Sequence, residues 1–255
     1  MTRKERQKRI LEILEDHGAV SVKKLTQILF ASEATVRREL TELERIGAVK
    51  RTFGGAMPMP EVNRQIPLLV RESLNSVEKN EICRRAASLV QNGQVIFLDG
   101  SSTAQHMVKH LRHFSDLVVI TNGLKVAELL SELPIKTFCT GGRLIENSLV
   151  FTGRQAEKMA EEVNVDICFL SCKGLSEDGV FSDTSEEETD LRRKFLACSK
   201  TRVMLMTANK IGKTYLHTLC RAEEIDCIFS GAALPPALQT RTTAKRSEAD
   251  SDMHL

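Results

Sequence analysis

Residues 21–56 constrain the fold more than any other part of this 255-residue chain, because two short amphipathic helical patterns flank a polar break at Ala31-Ser32. Apolar residues recur at spacings of three and four in both patterns, which gives each helix one apolar face. An earlier helical pattern adds a third face, and three such faces can close a small core. The apolar residues are Ile10, Leu11, Ile13 and Leu14, then Leu25, Ile28 and Leu29, then Val36, Leu40 and Leu43. This order predicts a helix-turn-helix, which places its second helix in the DNA major groove.

The second helix of that motif presents the candidate DNA contacts opposite its apolar stripe. Ser32 precedes the helix as a candidate N-cap, and Gly47 follows it as a stop signal. Near the N-terminal end of such helices, an arginine can pair with guanine O6 and N7. Arg45, further along, is better placed for a phosphate contact. The predicted DNA-binding residues are Ser32, Thr35, Arg37, Arg38, Thr41, Arg45 and, beyond the helix, Arg51.

A plain alternative is a surface helix with solvated charges, because Glu39, Glu42 and Glu44 partly cancel its arginines. Two observations favour DNA instead. The segment 50–55 adds two cations beside a glycine turn, as a β-wing does, and residues 1–56 carry a net charge of +4 against +2 for the whole chain. Duplex DNA is the predicted partner, because the chain has no Trp and one Tyr, whereas binding of single strands needs aromatic stacking platforms.

Residues 6–56 resemble the N-terminal domain of the DeoR family of bacterial transcription regulators. The resemblance rests on Arg6 and Ile10 in the first helix, on Ser32-x-x-Thr35-Val36-Arg37-Arg38-Glu39-Leu40, and on Gly47, Arg51 and Gly54-Gly55-Ala56. Two positions depart from the family pattern. Glu39 stands where the family usually has Asp, and Phe30-Ala31 replaces the usual residues before the serine. Neither position belongs to the predicted base-reading face.

A change of pattern after the wing predicts a second domain. Residues 1–57 form the predicted winged helix-turn-helix domain, and the prolines that follow predict a linker over 58–75. Over 76–235, strands expected at 94–98, 117–121, 135–139, 165–171 and 202–207 alternate with helices expected near 79–91, 103–112, 123–132, 154–163 and 185–199. Such alternation predicts an α/β domain with a mainly parallel sheet. Residues 236–255 lack any apolar period and are expected to be a disordered tail.

Small polar residues follow each predicted strand, and ligands of parallel sheets bind beyond the carboxyl ends of the strands. Asp99-Gly100-Ser101-Ser102-Thr103 opens a helix, where hydroxyls and free N–H groups suit a phosphate. Further candidates are Thr121, Asn122, Gly141, Gly142, Lys173 and Lys210. A plain alternative for each loop is a helix cap or turn, which favours the same residues.

Residues 67–230 resemble the sensor domain of DeoR-type regulators, whose fold is similar to ribose-5-phosphate isomerase. The matches include Pro67, Arg71 and Lys79, then 98–103 for the family's L-D-x-G-T-T, then Thr121-Asn122, Gly141-Gly142, Gly153, Gly174, Glu188 and Lys210. The resemblance implies a pocket for a phosphorylated sugar or related metabolite. The acidic residues that the isomerases carry are replaced here by Ser171-Cys172-Lys173-Gly174 and by Thr207. An isomerase-like enzyme is therefore the less favoured alternative, because proton transfer needs a positioned base.

Other classes of protein are disfavoured by composition. The seven cysteines are odd in number and contain no C-x-x-C pair, so we expect reduced thiols and no zinc site. The charged N-terminus lacks the apolar segment of a signal peptide, and no run approaches the length of a membrane span. We expect a cytoplasmic protein without metal or cofactor.

These observations together predict an oligomeric, DNA-binding transcriptional regulator of a carbohydrate operon. The expected partners are double-stranded operator DNA, a phosphorylated sugar effector and further copies of the chain, as dimer or tetramer. A repressor is the favoured form, and an activator of the same family is the alternative that the sequence leaves open.

Overall fold

The computed structural model describes residues 1–45, 47–59, 68–72, 74–235 and 238, and divides into two compact units, one ending at Leu74 and the other beginning at Asn75. Half of the expected linker and nearly all of the expected tail therefore lie outside the described residues. Leu238, within the expected tail, is the exception. It is buried against the second unit.

The first unit is a three-helix bundle with a small antiparallel sheet. Its helices are α1 (Arg3–His17), α2 (Val22–Leu29) and α3 (Glu33–Arg45), and its strands are β1 (Val20–Ser21), β2 (Val49–Thr52) and β3 (Gly55–Pro58) in the order β1-β3-β2. A short helix, α4 (Leu68–Arg71), follows. The β2–β3 hairpin is the predicted wing. The apolar faces predicted from the sequence form one core, although Ile28 is only partly buried.

The second unit is built on a six-stranded parallel sheet. In chain order its strands are β4 (Val95–Leu98), β5 (Val118–Thr121), β6 (Lys136–Cys139), β7 (Arg143–Ile145), β8 (Val150–Thr152), β9 (Val165–Leu170), β10 (Gly174–Leu175), β11 (Val180–Asp183), β12 (Ser199–Met206), β13 (His217–Arg221) and β14 (Cys227–Ser230). The parallel sheet has the order β14-β12-β9-β4-β5-β6. All five predicted strands belong to it.

Helices cover both faces of this sheet and enclose two apolar clusters. They are α5 (Ser76–Ala86), α6 (Leu124–Leu130), α7 (Arg154–Glu161) and α8 (Glu186–Cys198). On one face the rings of Phe97 and Phe195 stack with centroids 3.5 Å apart, joining β4 to α8. The helix expected over 103–112 is a 3₁₀ helix, Ala104–His110, in which the His106 N–H donates to the Thr103 carbonyl, three residues back.

Two antiparallel additions were not predicted from the sequence. Strands β10, β11 and β13 form a three-stranded sheet, and β7 pairs with β8 as a hairpin. Each of these strands has two to five residues, too short for a period-two pattern to be distinguished from a loop. Strand β14 was also missed and forms one edge of the parallel sheet.

Candidate functional sites

The start of α3 is fixed by the hydroxyl of Ser32. Its Oγ accepts the Thr35 N–H at 3.2 Å and also lies 2.9 Å from Thr35 Oγ1. The cap satisfies one of the N–H groups that the first helical turn leaves free. Both side chains, which the sequence placed at the DNA surface, thus also determine where the recognition helix begins.

The exposed cations of α3 fall into two kinds. Arg37 pairs with Glu33 one turn earlier, at 3.2 Å between Nη2 and Oε2. Arg38 and Arg45 are exposed, and no hydrogen bond or ion pair joins either of them to another described residue. Seven residues apart, they lie on one side of the helix. Two guanidinium groups are therefore left for an external partner.

Arg51 of the wing is held against α3. Its Nη1 donates to Thr41 Oγ1 at 3.2 Å and its Nε donates to the Gly55 carbonyl at 3.3 Å. The Thr41 hydroxyl in turn donates to the Arg37 carbonyl at 2.9 Å. Thr41 and Arg51, both predicted to contact DNA, connect the wing to the recognition helix.

The three acidic residues of α3 that supported the alternative interpretation all have partners in the structure. Glu39 is buried, and its Oε1 accepts from Arg6 of α1 at 2.8 Å and 2.7 Å. Glu42 accepts from Gln7 at 3.0 Å, and Glu44 accepts the Arg51 N–H at 3.1 Å. These carboxylates brace α3 against α1 and the wing, because α1 supplies the cation that a buried glutamate needs. The hydrogen bond to Glu39 raises the pKa of Arg6.

In the second unit, the carboxyl ends of the parallel strands bring the predicted effector residues to one edge. The Asp99 carboxylate is fully buried there and accepts the N–H groups of Ser101 at 3.0 Å and Ser171 at 3.2 Å. Ser101 lies in the loop after β4, and Ser171 lies in the loop after β9. Asp99 therefore ties two neighbouring loops together.

A buried arginine of α8 organises the same edge and was missed from the sequence. Arg192 is bonded to Asp99, Asp183 and Glu188, each at 3.0 Å. Burial disfavours its charge, but Asp183, Asp99 and Glu188 outweigh that effect and raise the pKa of Arg192. We name these four residues the Arg192 cluster. Glu188, predicted to face an effector, contributes one carboxylate oxygen to this cluster.

A second buried cation, Lys79, lies at the loop after β4. Its ammonium donates to Ser102 Oγ at 3.1 Å, and its side chain is 4% exposed. The neighbouring Thr103 Oγ1 is buried without a hydrogen-bond partner among the described residues. The loop thus combines a cation, two hydroxyls and the backbone of a helix start, a donor set suited to an anion.

Gly100 and Gly123 pack backbone against backbone between two loops of this edge. A Cβ on Gly100 would lie 2.8 Å from Gly123 Cα and would collide with the Val150 side chain. The Gly100 N–H donates to Asn122 Oδ1 at 2.9 Å, and Thr121 Oγ1 accepts the Gly123 N–H at 3.0 Å. The polar atoms of Thr121 and Asn122 therefore maintain this contact.

The loop after β6 contributes the two remaining glycines. Gly141 and Gly142 have φ of +67° and +105°, in the region that favours glycine. A Cβ on Gly142 would collide with the Thr152 carbonyl oxygen. The same loop leads into Arg143, which pairs with Glu187 of α8 at 2.5 Å.

The two lysines of the edge have different partners. Lys210 donates to Ser171 Oγ at 2.7 Å, so it lies beside the loop that Asp99 ties down. Lys173 donates to Thr184 Oγ1 at 2.6 Å. The sequence left open whether Lys173 faces a phosphate or solvent. In the structure it is half-buried and bonded to the segment between β11 and α8.

All seven cysteines are free thiols: Cys83, Cys168, Cys172 and Cys220 are buried, Cys198 and Cys227 are half-buried, and Cys139 is exposed. Burial raises the pKa of Cys83 and Cys172 to about 12, which keeps both protonated and unreactive.

Within the described ranges, no group of three or more His, Cys, Asp or Glu side chains could hold a metal ion. No helix there is long and apolar enough to cross a membrane.

Comparison with known families shows two matches in the order of the two units. The DeoR-like helix-turn-helix domain matches residues 6–60, and the DeoR C terminal sensor domain matches residues 74–232. The chain belongs to the DeoR family. Membership makes it a transcriptional regulator with a sensor domain, not an enzyme, which removes the isomerase alternative.

Curated relatives agree over nearly the whole chain. It is 34% identical over 234 residues to the uncharacterized HTH-type transcriptional regulator YulB of Bacillus subtilis, covering 91% of this chain and 90% of the relative. It is 32% identical over 232 residues to the HTH-type transcriptional repressor GlcR of the same organism, covering 90% and 89%. Among solved structures, ribose 5-phosphate isomerase from Plasmodium falciparum aligns with a TM-score of 0.41 and 13% identity, over 54% of this chain and 53% of that chain.

Proposed function

We propose that this DeoR-family regulator is a repressor of a carbohydrate catabolic operon that releases operator DNA when a phosphorylated sugar occupies the sensor domain. The observation that supports the ligand class best is the buried Lys79 ammonium on Ser102. The Lys79 ammonium adds a positive charge to the hydroxyls and N–H groups at a helix start, and together these groups suit a dianionic phosphate.

Duplex DNA is the partner that suits the first unit. The exposed Arg38 and Arg45 lie on α3, whose start and flanks are braced by Ser32, Glu39 and the wing. We propose that Arg38 reads a base edge and that Arg45 contacts phosphate, with Arg37 near the first turn. Thr41 and Arg51 act by positioning the wing against the helix. Such a protein works where the chromosome lies, so the proposal places it in the cytoplasm.

The sugar part of the effector would meet the remaining loops of the edge. We propose that Thr121, Asn122 and the Gly141-Gly142 turn line the sugar hydroxyls, because close backbone approach there lets N–H and carbonyl groups reach a ligand. Lys210, beside Ser171, supplies a second cation for the phosphate. The name of the relative GlcR, a transcriptional repressor, supports the repressor form. So does the expectation that a catabolic operon is induced by its own substrate.

Calorimetry on the full-length protein tests the ligand class. A panel of sugars is titrated as free sugars and as their phosphates. We expect at least one phosphate to bind and its free sugar to bind much more weakly, because the free sugar lacks the negative charge that Lys79, Lys210 and the N–H groups of the helix start attract. Equal binding of a free sugar and its phosphate would refute the phosphate assignment while leaving the DNA-binding role intact.

A further inference from the structure

Strand β6 forms an unpaired edge of the parallel sheet within the part of the chain that the structure describes. It has four residues, of which Lys136, Phe138 and Cys139 are exposed and Thr137 is half-buried. The Phe138 side chain is 41% exposed. An exposed apolar edge strand offers unpaired N–H and carbonyl groups to another strand.

The hydrogen bonds of β6 show which peptide groups face outward. The Thr140 N–H donates to the Thr121 carbonyl of β5 at 3.0 Å, so Thr140 points its peptide groups toward β5. Directions alternate along a strand, so Lys136 and Phe138 also point toward β5. Thr137 and Cys139 therefore point their N–H and carbonyl groups to the free edge.

We propose that β6 pairs antiparallel with β6 of a second copy of this chain, across a two-fold axis at Phe138. In this register Thr137 lies opposite Cys139 of the other copy, and each such pair exchanges two hydrogen bonds. A two-fold axis at Thr137 or at Cys139 would bring fewer outward-facing groups of the strand together. The inference rests on the proposed function together with the oligomer expected from the sequence, and it names the contact surface.

Side chains support a second copy as the occupant. In the proposed register, Phe138 of one copy lies opposite Phe138 of the other at a non-hydrogen-bonded position, where side chains of paired strands are closest. Aromatic pairs at such positions are favourable. Lys136 does not block the edge, because its ammonium lies 5.3 Å from the centre of the Phe138 ring on its own strand. The two Lys136 Cα atoms would be about 13 Å apart along the strands, beyond the screening length of about 10 Å at 0.1 M salt.

The position of β6 also connects this surface to the effector site. Cys139 is followed directly by Thr140 and by the Gly141-Gly142 turn, whose φ values are positive. A ligand that changes the turn would act on residues one or two positions from the paired strand. The assembly and the proposed sugar site therefore share one segment of chain.

Cross-linking of the full-length protein through its own exposed thiol tests the register. In the proposed pairing the two Cys139 Cα atoms lie about 9 Å apart, from the spacing along and across paired strands. We expect a bismaleimide of matching span to give a covalent dimer from wild type. Cys139→Ser removes the exposed thiol and should give none. Absence of a cross-link in wild type would overturn the register.

Light scattering of variants tests the same surface without a cross-linking reagent. Phe138→Asp and Thr137→Pro should both be monomeric at concentrations where wild type is dimeric, since the proline removes an outward-facing N–H and leaves the β5 ladder intact. Leu216→Asp, at a residue 83% exposed elsewhere in the unit, is the matched control and should leave the dimer unchanged. Circular dichroism confirms that each variant is folded.

Two outcomes overturn the inference. If folded Phe138→Asp remains dimeric, the contact between copies lies elsewhere. Operator binding by the wild-type protein is measured separately by gel shift, and specific binding there would leave the proposed function intact. If wild type is monomeric at micromolar concentration, both the surface and the oligomer expectation fail.

Discussion

Arg192 Nε donates to the carboxylate of Asp99 at 3.0 Å, joining α8 to the loop after β4 with both side chains at most 5% exposed. Asp99 in turn accepts the N–H groups of Ser101 and Ser171. The position of two loops at the proposed sugar site thus depends on one buried ion pair. Removing either partner leaves an uncompensated buried charge.

Arg192→Met should lower the free energy of unfolding by about 3–5 kcal/mol, the cost typical of breaking a buried pair by removing one partner. Urea unfolding followed by circular dichroism measures it. Lys158→Met is the control, because its pair with Glu162 is 72% and 62% exposed and should matter by at most about 1 kcal/mol. Similar stabilities for the two variants would show that the Arg192 cluster does not hold the edge together.

Arg38→Ala and Arg45→Ala should weaken operator binding in different ways. Loss of a base contact at Arg38 should cost about 1–3 kcal/mol and relax preference at one base pair. Loss of a phosphate contact at Arg45 should weaken binding to all DNA sequences alike and should make the affinity less dependent on salt concentration. Gel shifts at several salt concentrations distinguish them, and wild-type binding by both variants would refute this assignment of α3.

Lys79→Met and Ser102→Ala should reduce the response to a phosphorylated sugar while leaving operator affinity near wild type. The reason is that both groups lie in the second unit and form the proposed anion site, not the DNA surface. Anisotropy of labelled operator, titrated with the sugar phosphate, measures both quantities. Lys194→Met is a matched control, since its pair with Glu161 is exposed. An unchanged response in Lys79→Met would contradict the role given to this lysine.

His110 should make stability fall in mild acid. Burial, with the nearby charge of Lys109, lowers the pKa of His110 from its ordinary value of 6.5, and its Nε2 lies 2.9 Å from Asn80 Oδ1. The unfolded chain then binds the proton more readily than the folded one. Stability is present above about pH 6.5 and is lost as the pH falls through the lower folded pKa.

His110→Gln should remove the part of the pH dependence of stability that His110 causes. The difference in stability between pH 7 and pH 5 should then be smaller than in wild type. Thermal unfolding across this pH interval measures it. A wild-type slope in His110→Gln would contradict the prediction.

The sequence predicted those features that leave a local pattern. Buried parallel strands are short apolar runs, so β4, β5, β6, β9 and β12 were placed correctly to within three residues at either end. Asp99 and Ser102 could be selected because they directly follow a strand and precede a helix. These signals depend only on residues near one another in the chain.

The features that were missed depend on contacts distant in sequence. Arg192 lies 93 residues from Asp99, on a helix whose other charged residues are exposed or half-buried, so nothing local marks it as buried. Glu39 supported the alternative of a helix with solvated charges, because the sequence does not show that Arg6, 33 residues earlier, lies against it. Lys79 matched the sensor family, but its bond to Ser102 could only be found from the packing of α5.

The measurement that tests the central claim most directly is anisotropy of a labelled duplex operator, chosen by in vitro selection with the full-length protein, with and without phosphorylated sugars. The account predicts specific binding that at least one sugar phosphate weakens about 5- to 150-fold, the range of ordinary allosteric coupling. The corresponding free sugar should have little effect. Sequence-independent binding, or specific binding that no sugar phosphate weakens, would contradict the account.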